Sequence, residues 1–222
     1  MLYNVLMKKL IGEAWLQSGQ KRREDLVLTG LMAPIAVPAV GAAALAVRVY
    51  DKVDPLFIHE RLGVNDEPFR IRKIRTLPKT VEHNPGIAGH MHPEASKLGR
   101  FLRKLRVDEA PQFSNILQGT MSVVGPRPLM AQEYDAARNH LSSGDYEEWR
   151  RARRIARPGL IDLFAVRFYR DEFADDLDQL WQLRAEAEVE YADTATRSLD
   201  HTIMLESAKL AVSFMRAEPE HE

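Results

Sequence analysis

The segment Lys97–Pro128, KLGRFLRKLRVDEAPQFSNILQGTMSVVGPRP, has an adjacent carboxylate pair, Asp108 and Glu109, at its centre. From Leu98 to Leu105, apolar residues recur at positions i, i+3, i+4 and i+7, which is the spacing of one helix face. The other positions of this predicted helix are mostly Lys and Arg, without one acid. We therefore expect an amphipathic helix whose basic face leads directly into the acidic pair.

The acidic pair has a structural and a functional interpretation. Asp108 is placed to cap a second helix that continues to Leu117, with Pro111 in a first turn whose N–H groups lack partners in any case. On capping preference alone, the structural role is the commoner one. Helix N-termini and arginines also attract anions, so the same place should bind a phosphorylated ligand and keep a carboxylate ionised.

The segment ends with Gly125-Pro126-Arg127-Pro128, in which two prolines flank one arginine. Each proline ring fixes its own backbone φ angle, so the chain around Arg127 has little freedom. A guanidinium is a planar fork of donors that matches a phosphate group. We therefore predict that Arg127 is held rigidly and binds a phosphate.

Leu26–Val47 contains no charged residue and is long enough to cross the apolar core of a bilayer, which needs about 20 residues. Pro34 and Pro38 lie within it, and each removes a backbone donor. Basic residues flank both ends, as Lys21–Arg23 and Arg48, and positive flanks tend to remain in the cytosol. A helix that enters one leaflet, bends near Pro38 and returns satisfies all three features. The alternative is a buried hairpin in a soluble protein.

Asp54–Ile74 has the short β-prone runs of a hairpin, at Leu56–Ile58 and Phe69–Arg72. Lys73 and Arg75 are spaced to point the same way from an extended backbone, which would suit a grip on a diphosphate. The alternative is an exposed basic strand edge.

Composition excludes several classes of protein. The 222 residues suffice for one domain with a sizeable core, and a formal net charge of −1 argues against a nucleic-acid partner. The absence of cysteine excludes disulfides and cysteine-based zinc sites. His83, His90 and His92 share a loop, but their spacing matches no standard zinc pattern, so we predict no metal site there.

Both ends of the chain have the pattern of amphipathic helices. Residues Met1–Gln20 place apolar side chains on one face, so this helix either docks on the rest of the protein or lies in a membrane interface. The last helix, Leu199–Met215, either closes the core or rests on the membrane surface.

The central segment resembles, at many spaced positions, the signature of the bacterial sugar transferase family, the polyprenyl-phosphate hexose-1-phosphate transferases: GRFLRK…DE.PQ..NIL.G.MS.VGPRP. The patterns KR..D before the apolar run and P.F..ERLG…PF.I.K.RT in the hairpin are similar to the same family. Near the C-terminus, EVEYADTATRSLDHTIML resembles the family's stretch YA…SL.LD..I. The resemblance extends from Lys21 to about Val212, which is nearly the whole chain.

The sequence departs from the family pattern in four places. Val37 replaces a serine, His59 replaces a glutamine, and the loop before the basic helix has His92, Glu94 and Ser96 instead of D.R.T. The family tends to read PG.TG..Q after the charged helix, where this chain has PGLIDLFAV with Ile161, Asp162 and Ala165. We expect this last departure to fall where the sugar is recognised, and therefore name no sugar.

The residues and the resemblance together predict a mostly α fold with a small β-hairpin, in a monotopic membrane protein. An amphipathic interfacial helix occupies residues 1–20, and a re-entrant membrane helix, broken at Pro38, occupies residues 21–48. A cytosolic α/β catalytic domain occupies residues 49–222. The expected location is the cytosolic face of the bacterial inner membrane.

The resemblance implies transfer of a sugar-1-phosphate from a nucleotide diphosphate sugar to a polyprenyl phosphate, with release of a nucleoside monophosphate, as an initiating step of glycan assembly. Asp108 would be the nucleophile and form an aspartyl-phosphosugar, and Glu109 would position metal or lipid phosphate or manage a proton. Mg²⁺ would be held at Asp108 and Glu109 and bridge to the diphosphate. The residues expected to bind substrate phosphate are Lys73, Arg75, Arg100 and Arg127. The expected partners are these two substrates and membrane lipid, without nucleic acid, and a homodimer is a candidate assembly.

Two other functions remain open at this point. A non-catalytic, membrane-bound scaffold or regulator could keep the same fold, because two loops differ from the family. An enzyme with a soluble acceptor is the other alternative, and the uncharged run Leu26–Val47 argues against it.

Overall fold

A computed structural model of the protein describes residues 2–78, 94–168 and 176–216, and most of these residues are helical. The α-helices are α1 (Leu2–Leu16), α2 (Gly19–Ala46), α3 (Lys97–Lys104), α4 (Phe113–Gln118), α5 (Ala131–His140), α6 (Ser143–Ile155), α7 (Leu163–Phe168), α8 (Leu177–Thr194) and α9 (Arg197–Arg216). The strands are β1 (Leu56–Leu62), β2 (Pro68–Ile74), β3 (Ser122–Val124) and β4 (Gly159–Ile161). The loop histidines His83, His90 and His92 lie outside the described residues.

Helix α2 begins at a capping serine, because the Ser18 hydroxyl accepts a hydrogen bond from the Lys21 N–H at 3.0 Å. The helix then continues through both Pro34 and Pro38 to Ala46, and one π-helical turn, Val47–Asp51, follows. The expected break in the helix at Pro38 is therefore not observed. A proline removes one donor and can be carried inside a long helix where neighbouring turns keep theirs. The re-entrant course itself stays a prediction.

The middle of α2 exposes apolar side chains. Those with more than a third of their surface exposed are Leu26, Val27, Leu31, Met32, Ile35, Val37 and Leu45. Among the described residues, the helical stretch Gly19–Asp51 is long and apolar enough to cross a membrane, with a mean hydropathy of 2.0 and 17% of its most apolar window buried. A core helix of a soluble protein would be mostly buried, so this exposure favours contact with lipid.

Both ends of α2 pack against the same body of the protein. At the N-terminal end, Lys21 and Asp25 are buried against β3. At the C-terminal end, Ala43 and Val47 pack in a cluster with Ile74 and Leu102. The exposed middle therefore lies between two anchored ends, which agrees with flanks on one side of a membrane.

The predicted hairpin is confirmed. Strands β1 and β2 are antiparallel, and Phe57 pairs with Lys73 in their register. The turn between them carries Asn65 and Asp66 with positive φ angles of 56° and 62°. Asparagine and aspartate tolerate this left-handed region better than most residues do.

A second sheet was not predicted. Strands β3 and β4 are parallel, with Ser122 opposite Gly159 and Val124 opposite Ile161. Each strand has three residues. Runs this short give too few positions for an alternating pattern to be recognised in the sequence.

The helix before the acidic pair differs from the prediction in one respect. Leu102 is buried at 5% exposure, but Phe101 and Leu105 of the same predicted face are 57% and 40% exposed. Leu102 is therefore buried in the core and Leu98 packs partly against the same cluster, while Phe101 and Leu105 are exposed.

Helix α1 docks on the rest of the protein. Leu16 is buried in a cluster with Tyr191 and Ala192 of α8, and the Trp15 indole N–H donates to Asp200 at 2.9 Å. Leu10 and Ile11 are about half exposed, at 53% and 50%. Docking is thus observed, and a position of residues 1–20 in the membrane interface stays a prediction. Helix α9 also contributes Ile203 to this core cluster.

Candidate active site

The acidic pair lies in a tight turn between two helices. Arg106 follows α3 with a left-handed φ of 57°, and the chain then forms a 3-10 helix over Val107–Gln112. Asp108 therefore lies inside this helix and does not cap the next one, and no side-chain cap hydrogen bond is present at its start. The structure thus does not support the capping interpretation of Asp108.

Glu109 is surrounded by cations. Its carboxylate accepts a hydrogen bond from the Lys73 ammonium at 2.8 Å, and the Arg106 guanidinium lies 3.7 Å away. Burial by itself would raise the pKa of Glu109, but Lys73, Arg106 and Arg127 outweigh burial and hold the pKa well below its usual range. Glu109 is therefore ionised throughout the physiological range.

Asp108 has the opposite environment. Its residue surface is 8% exposed, and no described residue donates a hydrogen bond to its carboxylate. Burial and the adjacent Glu109 charge raise the pKa of Asp108 to about 6, against the attraction of Lys73, Arg103 and Arg106. Adjacent carboxylates whose pKa values are driven apart are typical of catalytic pairs with different roles. At neutral pH, Asp108 is an ionised, poorly solvated carboxylate, which suits a nucleophile.

A close approach of two backbones positions Arg127. A Cβ atom on Gly125 would lie 2.1 Å from the Arg157 carbonyl oxygen, and one on Gly159 would lie 2.1 Å from the Gly125 nitrogen. The absence of both side chains therefore lets the segments after Val124 and before β4 touch. The Arg153 guanidinium also donates to the Arg127 carbonyl oxygen at 2.7 Å, so the backbone of Arg127 is fixed from a second side.

The Arg127 side chain faces acidic groups. Burial would lower the pKa of Arg127, but the charges of Glu109, Asp162, Glu133 and Asp108 outweigh it and raise the pKa. Among the described residues, none accepts a hydrogen bond from its guanidinium. A permanently charged fork without a protein acceptor beside the acidic pair is suited to an anionic ligand.

A pocket connects these groups. It encloses about 270 Å³, including space open to solvent, and its lining residues are Arg61, Ile71, Lys73, Glu109, Gln112, Arg127, Pro128, Gly159 and Leu160. Arg61 and Gln112 were not predicted as site residues, although they lie in the motifs ERLG and DE.PQ. A motif gives no indication of which of its polar residues face a cavity.

Two of the predicted phosphate-binding residues are not brought to this pocket. The Arg75 guanidinium donates to the carbonyl oxygens of Asp54 and Leu56, at 2.9 and 3.3 Å, and covers the Phe57 ring. Arg75 lies over the ring of Phe57, the cross-strand partner of Lys73, so the two basic residues share one face of the hairpin but only Lys73 lines the pocket. Their joint binding of a diphosphate stays a prediction. Arg100 donates to the Ala95 carbonyl oxygen at 2.8 Å.

The segment that departs from the family pattern adjoins the site. Gly159 and Leu160 line the pocket, and the Asp162 carboxylate accepts a hydrogen bond from the Ala165 N–H at 2.7 Å. Asp162 and Ala165 therefore fold together as the start of α7. The substituted positions build local structure here, and Leu160 presents the side chain that faces the pocket.

The carboxylates are the groups that could hold a metal ion. No cluster of three or more His, Cys, Asp or Glu side chains occurs within the part of the chain that the structure describes. Mg²⁺ commonly uses one or two carboxylates and completes its shell with water and substrate phosphate oxygens. Asp108, which accepts no hydrogen bond from a described residue, fits that requirement, whereas one oxygen of Glu109 is already bound to Lys73.

The chain is similar to known sugar transferases over most of its length. The profile of the family described as bacterial sugar transferase matches residues 16–213. A UDP-glucose:undecaprenyl-phosphate glucose-1-phosphate transferase of Caulobacter vibrioides is 34% identical over 84% of this chain and 67% of its own length. The enzyme of the same name from Escherichia coli K12 is 32% identical over 77% of this chain and 35% of its own length.

A third relative differs in its named sugar. The UDP-N-acetylgalactosamine-undecaprenyl-phosphate N-acetylgalactosaminephosphotransferase of Aeromonas hydrophila is 31% identical over 63% of this chain and 32% of its own length. The chain thus spans about two thirds of the Caulobacter relative (67%) and about a third of the other two (35% and 32%). A profile match over most of the chain is sufficient to assign the family. The chain belongs to the bacterial sugar transferase family.

Proposed function

We propose that the protein is a phosphoglycosyl transferase that moves a sugar-1-phosphate from a nucleotide diphosphate sugar to a membrane polyprenyl phosphate, as an initiating step of glycan assembly. The observation that carries this proposal is the pair Asp108–Glu109. One acid is ionised and paired, and the other is buried with a raised pKa. The names of the relatives, which state UDP-sugar and undecaprenyl-phosphate substrates, support the same reaction.

Asp108 is the nucleophile in this proposal. A carboxylate oxygen of Asp108 attacks the β-phosphorus of the donor, and the bond from that phosphorus to the bridging oxygen breaks. The electron pair leaves with the nucleoside monophosphate, and a sugar phosphate remains on Asp108. An oxygen of the polyprenyl phosphate then attacks the same phosphorus and frees the Asp108 carboxylate.

The surrounding cations compensate charge during both steps. Phosphoryl transfer depends mostly on positioning and on neutralising the phosphoryl oxygens. Arg127 carries a guanidinium without a described acceptor, and Lys73 lies 2.8 Å from Glu109 at the edge of the same pocket. Glu109 holds Lys73 in place, so its contribution is to position charge rather than to form a bond.

The residues present fit a magnesium ion, which would be held by Asp108, with Glu109 close by. When bound, the ion would neutralise charge on the donor diphosphate. Asp108, Glu109 and Lys73 keep the functions described above.

We also propose that α2 is a re-entrant membrane helix and that the active site lies on the cytosolic face of the bacterial inner membrane. The exposed apolar middle of α2 and its two anchored ends support this arrangement. It would hold the site at headgroup depth, where a soluble donor and a lipid-linked acceptor can both reach Asp108.

The test uses purified protein in detergent with a panel of nucleotide sugars and undecaprenyl phosphate. We expect release of nucleoside monophosphate with at least one donor. With that donor and no acceptor, the protein should gain the mass of one sugar phosphate at Asp108. Release only when both substrates are present, with no adduct, would favour direct transfer and contradict the covalent step. No release with any donor would favour the alternative of a non-catalytic scaffold.

Asp108→Asn separates the roles of the two acids. It removes the atom that would form the intermediate, so turnover and adduct should both disappear. Glu109→Gln should slow turnover but still permit the adduct, because Glu109 positions charge. An adduct located at Glu109 would reverse this assignment.

A further inference from the structure

Three side chains that line the pocket have donors without a protein acceptor. They are Arg61, Gln112 and Arg127, and they come from β1, the 3-10 helix and the segment after β3. Buried polar groups normally have hydrogen-bond partners, because leaving a donor unpaired costs free energy. Unpaired donors from three separate elements that face one pocket therefore point to a missing ligand.

Gln112 gives the clearest observation. The residue is 2% exposed and lines the pocket, yet no described residue forms a hydrogen bond with its side-chain amide. The Gln112 amide atoms are not among the fully buried unpaired atoms, so the amide keeps accessible surface where the residue lines the pocket. It is therefore free to donate to a ligand, whereas the amide nitrogen of Asn115 in the next helix already donates to the Arg70 carbonyl oxygen at 2.8 Å.

Arg61 is held by one nitrogen. Its residue surface is 7% exposed, and its Nη1 donates to Glu133 at 2.7 Å. Its Nε is buried without a partner, and no described residue accepts from Nη2. The ion pair with Glu133 thus fixes the Arg61 side chain and leaves the other guanidinium nitrogens without a described acceptor.

Charge and size indicate which ligand fits. Among the pocket-lining side chains, the cations Arg61, Lys73 and Arg127 outnumber the single acid, Glu109. The volume of about 270 Å³ includes space that is open to solvent, so the enclosed part of the pocket is smaller than this figure. The pocket therefore fits one anionic group of a larger substrate better than the entire substrate.

We propose that Arg61 and Gln112, together with Arg127, form a subsite that binds a phosphoryl group. The inference rests on the proposed function, because the phosphoryl group would belong to one of its two substrates. Gln112 donates a neutral hydrogen bond, and Arg61 supplies positive charge in addition to that of Lys73. The donor diphosphate and the acceptor phosphate share this chemistry, and the experiment separates them.

The main variant is Gln112→Met, with Gln118→Met on exposed α4 as the matched control. Losing a hydrogen bond to a charged group should raise the KM of the affected substrate about tenfold to a hundredfold. The midpoint of thermal unfolding should not fall, since the amide has no protein partner to lose. Gln118→Met should change neither quantity.

Arg61→Lys is the second variant, because removing the charge would leave buried Glu133 unpaired and could prevent folding. Lysine keeps the ion pair and removes the rest of the fork. We expect a rise of about tenfold or more in the KM of the same substrate that Gln112→Met affects. Arg70→Lys, on the exposed face of the paired strand, is its control.

The KM values assign the source of the phosphoryl group. A rise for the nucleotide sugar alone assigns the subsite to the donor, and a rise for undecaprenyl phosphate alone assigns it to the acceptor. Unchanged KM values for both substrates in active Gln112→Met protein would overturn the proposal. So would a large fall in its unfolding midpoint with a loss confined to kcat, since that pattern indicates a structural role.

A binding measurement keeps this test independent of turnover. Inorganic pyrophosphate should raise the unfolding midpoint of the wild-type protein and of Asp108→Asn, and should raise that of Gln112→Met much less. If the wild-type protein releases no monophosphate, the proposed function fails while this comparison still decides the subsite. Equal stabilisation of wild type and Gln112→Met, or none of either, would contradict the subsite.

Discussion

At the scale of single residues, two neighbouring acids have different surroundings. Glu109 contacts Lys73, whereas Asp108 has no hydrogen-bond donor among the described residues. The sequence analysis selected both acids, because an Asp-Glu pair beside a basic helix is visible in the sequence. The different roles of the two acids are not visible in the sequence. Lys73 is 36 residues from Glu109 in sequence, and only the register of the hairpin brings it to Glu109.

Asp108→Asn should stabilise the protein at high pH. The pKa of Asp108 in the fold, about 6, lies above the usual aspartate value of 3.8, so folding favours the protonated form. Its stabilising contribution is present below pH 3.8 and is lost as pH rises through about 6. Asparagine carries no charge at any pH, so this destabilisation does not occur in the variant. Its free energy of unfolding should therefore exceed that of the wild type by roughly 1–3 kcal/mol at pH 8 and by less at pH 5. Thermal unfolding in detergent at both values measures the gain.

Glu109→Gln is the control, because it should change the stability at pH 8 in the opposite direction. The pKa of Glu109 is lowered in the fold, so its ionised form contributes stability above its usual pKa and loses it as the solution becomes more acidic. The variant should therefore be less stable than wild type at pH 8. If Asp108→Asn is also destabilised at pH 8, Asp108 does not carry the unfavourable charge that its burial implies.

Arg127→Lys should not behave as a conservative substitution. An ammonium group carries the charge but cannot reproduce a planar fork that binds two phosphoryl oxygens. We expect kcat/KM to fall about tenfold or more, which corresponds to roughly 1.4 kcal/mol of transition-state stabilisation. Arg100→Lys is the matched control, since Arg100 is bound to a backbone carbonyl away from the pocket. An unchanged rate for Arg127→Lys would remove Arg127 from the site.

At the scale of elements, a buried polar junction joins the first two turns of α2 to strand β3 and helices α8 and α9. Asp200 on α9 accepts hydrogen bonds from Lys21 and Tyr191, both at 2.8 Å, and from Trp15 at 2.9 Å. Asp25 accepts from the Ser122 hydroxyl at 2.9 Å and from the Val123 N–H at 3.0 Å. These groups are nearly inaccessible to water, so the junction depends on every partner being present.

Asp200→Asn should destabilise the protein strongly. It removes the charge closest to buried Lys21, and breaking one side of a buried ion pair costs about 3–5 kcal/mol. Thermal unfolding should show a large fall in the midpoint. Glu206→Gln on the same helix breaks an exposed pair with Lys209 and should have little effect. Equal effects of the two variants would mean that the junction contributes no more than a surface contact.

Elements with a strong local pattern could be predicted, and elements defined by distant partners could not. The hairpin and α2 follow from β-prone runs and an uncharged stretch. The β3–β4 sheet could not be predicted, because its three-residue strands pair across the whole of α5 and α6. The position of the Arg75 guanidinium could not be predicted either, because its acceptors are backbone carbonyl oxygens of Asp54 and Leu56, about 20 residues away in sequence.

At the scale of the whole molecule, both ends of α2 pack on one body and its middle is exposed. In a membrane, this arrangement should keep residues before and after the helix on the same side. The absence of cysteine allows one cysteine to be placed at position 1 or at position 222 without any background.

We expect a membrane-impermeant thiol reagent, added to intact cells, to label neither position, and both to be labelled after lysis. Labelling of one position alone would show that α2 crosses the bilayer, contrary to the proposal. Replacing Pro34 and Pro38 with leucine restores every backbone donor of the helix and should increase the crossing fraction. Replacing Pro55, outside the helix, is the control.

The buried position of Asp25 has a practical consequence for protein production. The second turn of α2 supplies the carboxylate that accepts the Val123 N–H, and Val123 belongs to the strand that precedes the Gly-Pro-Arg-Pro segment. Trimming the chain at residue 48 to obtain a soluble fragment would therefore strip the partner from that strand and leave the position of Arg127 undefined. A water-soluble version should instead retain residues up to Thr29, redesign the exposed apolar surface of α2, and rejoin the native chain at Ala43.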